Sequence, residues 1–170
     1  NSDWPVIEDD ITSKAVRKLA STAWKGVDLL AGGVPCPPFS IAGKKLGELD
    51  ERDLFPAMIR LTELSQPKAV MIENVRGLLD PKFGEYRERI DAQFRQLGYA
   101  PMGWQLLNAK DYGVPQLRPR VIMVALRRRY ASRFKWPEPS SKPPATVGQA
   151  LLKEMASRGW PGAEQWCALA

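Results

Sequence analysis

Short unbroken apolar runs alternate along the chain with stretches whose apolar residues recur at helical spacing. Val27 to Ala31 is apolar apart from Asp28 and stops at Gly32 and Gly33. Ala69 to Glu73 reads AVMIE, and Arg120 to Leu126 reads RVIMVAL. Such runs suit strands buried on both faces, as in a parallel sheet. Between them, Val16, Leu19, Ala20 and Ala23 follow possible caps at Thr12 or Ser13. Leu54, Phe55, Met58, Leu61 and Leu64 follow the acidic residues from Asp50 to Asp53, with Pro56 tolerable in the first turn. A third helix is expected from about Gly84 to Leu97. Its apolar face is Tyr86, Ile90, Phe94 and Leu97, its outer face pairs Glu85 with Arg89 and Asp91 with Arg95, and Gly98 stops it.

Pro101 to Asn108 reads as a strand joined to Arg120–Leu126 by a short loop, so these two should form an antiparallel hairpin at one side of the sheet. Trp4 to Ile7 reads as one more extended stretch, closed by Glu8, Asp9 and Asp10. The pattern predicts an α/β fold with a mostly parallel, Rossmann-like sheet. Past Trp136 the prolines at 137, 139, 143 and 144 mark a linker, and a helix from about Thr146 to Ser157 follows. The division expected is 1–136 and 137–170.

A chain of 170 residues is long enough for a real core. Its net charge of +6 is modest, but Arg118, Arg120, Arg127, Arg128, Arg129, Arg133 and Lys135 follow one another with no acidic residue among them. Such a stripe fits a polyanion. The sequence holds no histidine, which excludes Ser-His and Cys-His pairs and most zinc sites, so no metal site is expected. Cys36 and Cys167 are too few and too far apart for a disulfide framework. With no signal-like N-terminus or long apolar run, a soluble cytoplasmic protein with no membrane partner is expected.

The candidate chemistry sits where the first run ends. Cys36 follows Gly32 and Gly33 and is fenced by Pro35, Pro37 and Pro38, which fix φ and stiffen the loop. In open α/β sheets ligands bind outside the carboxyl ends of strands. Most free cysteines are buried fillers, but the context is unusual. GGVPCPPFS resembles the nucleophile loop of the DNA cytosine carbon-5 methyltransferases. Glu73-Asn74-Val75 and Gln116-Leu117-Arg118-Pro119-Arg120 resemble that family's ENV and QxRxR motifs, in the family's order.

The resemblance implies a partial S-adenosylmethionine-dependent methyltransferase sheet, with duplex DNA carrying a flipped cytosine as substrate. It implies catalytic roles for Cys36, Glu73, Arg118 and Arg120, and supporting roles for Asn74 and Gln116. Asp10, Pro35 and Leu54 would touch the cofactor, S-adenosylmethionine. Ser40, Lys44 and Lys45 would meet DNA, the lysines from a loop, IAGKKLGEL, that closes over it. Two departures stand out. Pro37 occupies a position where the family often has glutamine, and no glycine-rich cofactor loop is found in these residues. The chain is therefore expected to be an incomplete catalytic core leading into the start of a target-recognition region, inactive alone. A complementary chain or second copy would cover an open sheet edge. The rival expectations are a non-catalytic nucleic-acid-binding or assembly module, one subunit of a split enzyme, and methylation of RNA.

Overall fold

The computed structural model of the chain describes residues 5–35 and 53–169. Expectations that fall on Cys36, Ser40, Lys44 and Lys45 lie outside the described residues. The helices are α1 (Lys14–Ser21), α2 (Phe55–Ser65), α3 (Gly84–Gln96), α4 (Arg128–Ala131), α5 (Val147–Ser157) and α6 (Ala163–Leu169), and the strands are β1 (Leu29–Gly33), β2 (Ala69–Val75), β3 (Tyr99–Asn108) and β4 (Pro119–Arg127).

The sheet order is β1-β2-β4-β3. β1 and β2 run parallel, and the β3–β4 hairpin adds antiparallel to β2 through β4. The sheet is thus mixed, with its hairpin at one side as expected. Gly103, at φ +92, sits in the irregularity between Pro101 and Trp104 where β3 and β4 shift register. Gly98, at φ +85, ends α3 in the left-handed region.

One face of the sheet carries the core. Val70 and Ile72 of β2 alternate toward it with Met123 and Ala125 of β4, against Phe55 and Met58 of α2 and Ile90 and Phe94 of α3. Fully burying side chains such as Phe55 and Phe94 stabilises the fold by about 1.5–3 kcal/mol each. Tyr99, 1% exposed, adds a polar anchor by donating its hydroxyl to the Pro67 carbonyl at 2.7 Å. Ser13 caps α1 by accepting from the Val16 N–H, while Asp53 does the corresponding work for α2, accepting from the Phe55 N–H at 3.0 Å and from the Tyr86 hydroxyl at 2.6 Å.

Several expectations need correcting. β1 begins two residues later than the apolar run and includes both glycines, because Gly32 and Gly33 pair with Ile72 and Glu73. Val6, at 91% exposure, belongs to no strand: residues 5–9 find no pairing partner among the described residues. Glu85 and Arg89, and Asp91 and Arg95, pair as expected at 4.0 Å each, but Asp91 is not on the outer face of α3. It is 7% exposed and accepts from the Trp104 indole at 3.1 Å, because a half-buried indole N–H needs an acceptor.

The proline-rich stretch is held down. Trp136 donates to the Met102 carbonyl, Tyr112 donates to the Pro137 carbonyl, and the Ser140 N–H donates to the Asp111 carbonyl. This segment follows β3 back along the sheet, shielding an edge that would otherwise be open. Beyond it α5 starts at a capping box of Thr146 and Gln149. α6, which no sequence signal announced, packs against α5 at Gly148, where an added Cβ would lie 2.0 Å from the Cys167 carbonyl oxygen.

Candidate active site

β2 ends in Glu73, Asn74 and Val75, and alternation sends neighbouring side chains to opposite faces. The register pairs Glu73 with Ile122 and Val75 with Arg120, so Glu73 and Arg120 are diagonal neighbours on one face. Arg120 Nε and Glu73 Oε1 form an ion pair at 2.6 Å, with the two side chains 28% and 37% exposed. The Arg120 Nη1 also donates to the Pro119 carbonyl at 2.9 Å, which fixes the guanidinium from behind. On the other side stands Gly33, paired with Glu73 in the parallel ladder, where a Cβ would approach Glu73 Oε2 to 3.3 Å. The carboxylate is therefore clasped between the ends of β1 and β4. The described residues leave more than a third of the Glu73 side chain in solvent.

Arg118 does not join this pair. It is exposed, and its backbone N–H donates to Asn108 Oδ1 at 3.0 Å, tying together the two ends of the hairpin loop. Gln116 is exposed on the same loop, beside Leu117 at 78% exposure. Asn74, only 2% exposed, lies on the core side of β2. Its Oδ1 accepts from the Val75 N–H at 2.8 Å, while its Nδ2 has no partner among the described residues. Leaving a buried amide donor unmet costs about 1–3 kcal/mol, so this group sits ready for an acceptor. Pro35 is exposed just past the buried Val34, at the mouth of β1.

A cleft of about 310 Å³ opens between α1 and α2, lined by Ile11, Arg17, Leu54, Pro56, Arg60 and Leu61 among others. Asp10 adjoins it in sequence. Its Oδ1 accepts from the Thr12 N–H at 2.6 Å and the Thr12 hydroxyl at 2.7 Å. Those bonds, the hydroxyl's first, hold the Asp10 carboxyl below the usual carboxylate range. Leu54 lines the cleft together with Thr12, Asp53 and two arginines, whereas Asp10 lies beside it in sequence and is not part of its lining.

Two contributors escaped the sequence reading. Gly33 was taken as loop, although two glycines at the end of an apolar run also permit close approach of a neighbouring side chain. Asn108, which braces Arg118, carried no signal of its own. The basic stripe is also divided by the fold: Arg118 and Arg120 lie at the Glu73 end of β4, while Arg127 to Arg133 lie at its other end. Among the described residues no helix is long and apolar enough to cross a membrane.

Residues 1–166 match the family described as C-5 cytosine-specific DNA methylase. The type II methyltransferase M.NgoMIV of Neisseria gonorrhoeae is 58% identical over 164 residues, covering 96% of this chain and 51% of the relative. M.NaeI of Lentzea aerocolonigenes is 50% identical over 165 residues, covering 97% of this chain and 39% of the relative. The chain thus spans about half, or less, of the length of these relatives. The Entamoeba histolytica methyltransferase EhMeth shares the fold, with a TM-score of 0.60 at 17% identity over 82% of this chain and 43% of that one. On the match over nearly all of its residues, this chain belongs to the C-5 cytosine-specific DNA methylase family.

Proposed function

We propose that this chain carries the catalytic centre for methylation of carbon 5 of cytosine in duplex DNA, with Cys36 as nucleophile. The observation that carries the reading is the Arg120–Glu73 pair at 2.6 Å beside Gly33, three residues before Cys36 in the chain. A carboxyl at the carboxyl end of β2 and a guanidinium at the adjoining amino end of antiparallel β4 are placed to receive a planar base at the edge where ligands of open α/β sheets bind.

Carbon 5 of cytosine is a poor nucleophile. The Cys36 thiolate forms a bond to ring carbon 6, and the electron pair displaced from the 5,6 double bond makes carbon 5 nucleophilic. Glu73 holds or protonates ring nitrogen 3, which neutralises the charge that sulfur addition creates. Arg120 binds the carbonyl oxygen at carbon 2 and orients Glu73. S-adenosylmethionine, when bound, would supply the methyl group that carbon 5 takes up, its sulfonium becoming the neutral thioether of S-adenosylhomocysteine. Loss of the carbon 5 proton to water and departure of the thiolate then restore the aromatic base and the free enzyme. An unperturbed thiol is only a few per cent ionised at neutral pH, so positive charge brought beside it would raise the reactive fraction.

The cleft lined by Leu54 would take the adenine end of that cofactor, with Asp10 and Pro35 as its further contacts. Arg118 and Gln116, both exposed on the hairpin loop, would meet the DNA backbone or support the site, and Ser40, Lys44 and Lys45 would contact phosphates. Because the target atoms lie within the base stack, the cytosine must be flipped out. Residues 1–170 contain no glycine-rich cofactor loop, so transfer is expected only when that segment is supplied, on the same polypeptide or a second one. The intact Glu73–Arg120 pair favours this reading over a non-catalytic module.

The test is transfer of labelled methyl from S-adenosylmethionine to cytosine-containing duplex DNA by the full-length protein, with Cys36→Ala alongside. Transfer abolished by Cys36→Ala supports the reading; undiminished transfer by Cys36→Ala would overturn it.

A further inference from the structure

We infer that the end of the sheet opposite Glu73 is a second contact surface for duplex DNA, holding phosphates of a stretch other than the one that contains the target base. From Arg120 to Arg127 β4 advances seven residues, or about 24 Å at strand spacing. Cations at the far end therefore cannot serve the base held at Glu73.

What gathers there is mostly positive. α4 presents Arg128 and Arg129 to solvent, and Arg133 follows, also exposed. The Arg127 N–H donates to the Lys68 carbonyl at 3.0 Å, which brings the loop before β2 alongside α4. The Lys68 ammonium lies within electrostatic reach of Arg129 and Tyr130. It is paired with Asp28 at 2.5 Å, so that carboxylate offsets Lys68 and leaves the arginines of α4 uncompensated. Arg127 itself is committed to structure, donating to the Leu97 carbonyl at 3.3 Å and lying 4.5 Å from the centre of the Tyr99 ring. The surface is thus founded on β4, with the Arg128 and Arg133 side chains exposed and the Arg129 guanidinium, also exposed, 4.8 Å from the centre of the Tyr130 ring.

Like charges this close repel one another, and a polyanion relieves that repulsion by releasing its own counterions. Guanidinium groups also match phosphate oxygens in geometry. α4 itself offers only the half-buried Tyr130 and Ala131, and Leu29 is the large exposed apolar residue at this end of the sheet, little to anchor a membrane surface or an apolar protein partner. The proposal rests on duplex DNA being the substrate of the site described above.

The test is binding of the chain to a labelled 30-base-pair duplex without cytosine-specific design, as a function of salt, comparing the parent with Arg128→Glu/Arg129→Glu/Arg133→Glu. A milder Arg128→Gln/Arg133→Gln variant guards against misfolding, which circular dichroism would reveal. Three lost phosphate contacts should flatten the slope of log affinity against log salt by about 2.7, and the glutamine variant should flatten it by about 1.8. Slopes equal to the parent's in both folded variants would overturn the proposal. So would loss of binding to anionic phospholipid vesicles with DNA binding unchanged. A parent that fails to bind duplex DNA even at low salt would instead overturn the reading of the substrate.

Discussion

Arg118 and Arg120 are two residues apart and chemically identical, yet the structure separates their consequences. Removing Arg120 strands a carboxylate that it meets at 2.6 Å. A deeply buried partner would make that loss cost 3–5 kcal/mol, whereas an exposed pair is worth at most about 1 kcal/mol. At 28% and 37% side-chain exposure, the pair stands between these limits. Arg120→Met keeps most of the apolar stem and should cost about 1–2 kcal/mol. Arg118→Met, with an exposed side chain, should change stability by no more than about 0.5 kcal/mol. Urea unfolding followed by tryptophan fluorescence measures both, and a double-mutant cycle with Glu73→Gln isolates the pair. A coupling of about 1 kcal/mol is expected for Arg120 and none for Arg118. Equal costs for the two arginines, or zero coupling between Arg120 and Glu73, would refute this account of the site.

Three further outcomes follow from the geometry. Burial pushes the Asp91 carboxyl up from its ordinary value of 3.8, so the native state holds its proton more tightly than the unfolded chain does. Stability from this group is therefore fully present below the unfolded value and is lost as pH rises through the folded one. Asp91→Asn, which keeps an acceptor for Trp104, should gain on the parent between pH 4 and pH 7 in thermal unfolding; a relative loss over that range would contradict the assignment. Gly33→Ala places a Cβ 3.3 Å from Glu73 Oε2 and should lower methyl transfer far more than it lowers the melting temperature. Gly148→Ala puts a Cβ 2.0 Å from the Cys167 carbonyl oxygen, so α5 and α6 must part; faster amide exchange confined to 147–169, at a cost of about 1–3 kcal/mol, is expected.

Much of this arrangement was legible because periodicity and packing agree. The AVMIE run, the 3.6-residue spacing of Tyr86, Ile90 and Phe94, and the hairpin around RVIMVAL each had one compatible structure. The failures share a different cause. β1 slid forward over Gly32 and Gly33 because register with β2, a long-range property, decides where a strand ends. Asp91 looked like half of an exposed helical pair, but the need of the Trp104 indole, thirteen residues away in sequence, drew it inward. At the site, the motif letters named both arginines, and only the diagonal geometry of β2 and β4 showed which one meets Glu73. The basic stripe read as one feature because the sequence does not say that β4 carries its two halves to opposite ends of the sheet.

The central claim, that Cys36 forms a covalent bond to the base held by Glu73 and Arg120, is tested most directly by mass spectrometry with a duplex carrying 5-fluorocytosine at the target position. Fluorine on carbon 5 leaves no proton to lose, so the sulfur bond should persist. The full-length protein with S-adenosylmethionine is predicted to give a stable one-to-one adduct that Cys36→Ala abolishes and Arg120→Met diminishes. An adduct that survives in Cys36→Ala, or methyl transfer to ordinary cytosine with no adduct on the fluorinated duplex, would contradict the account.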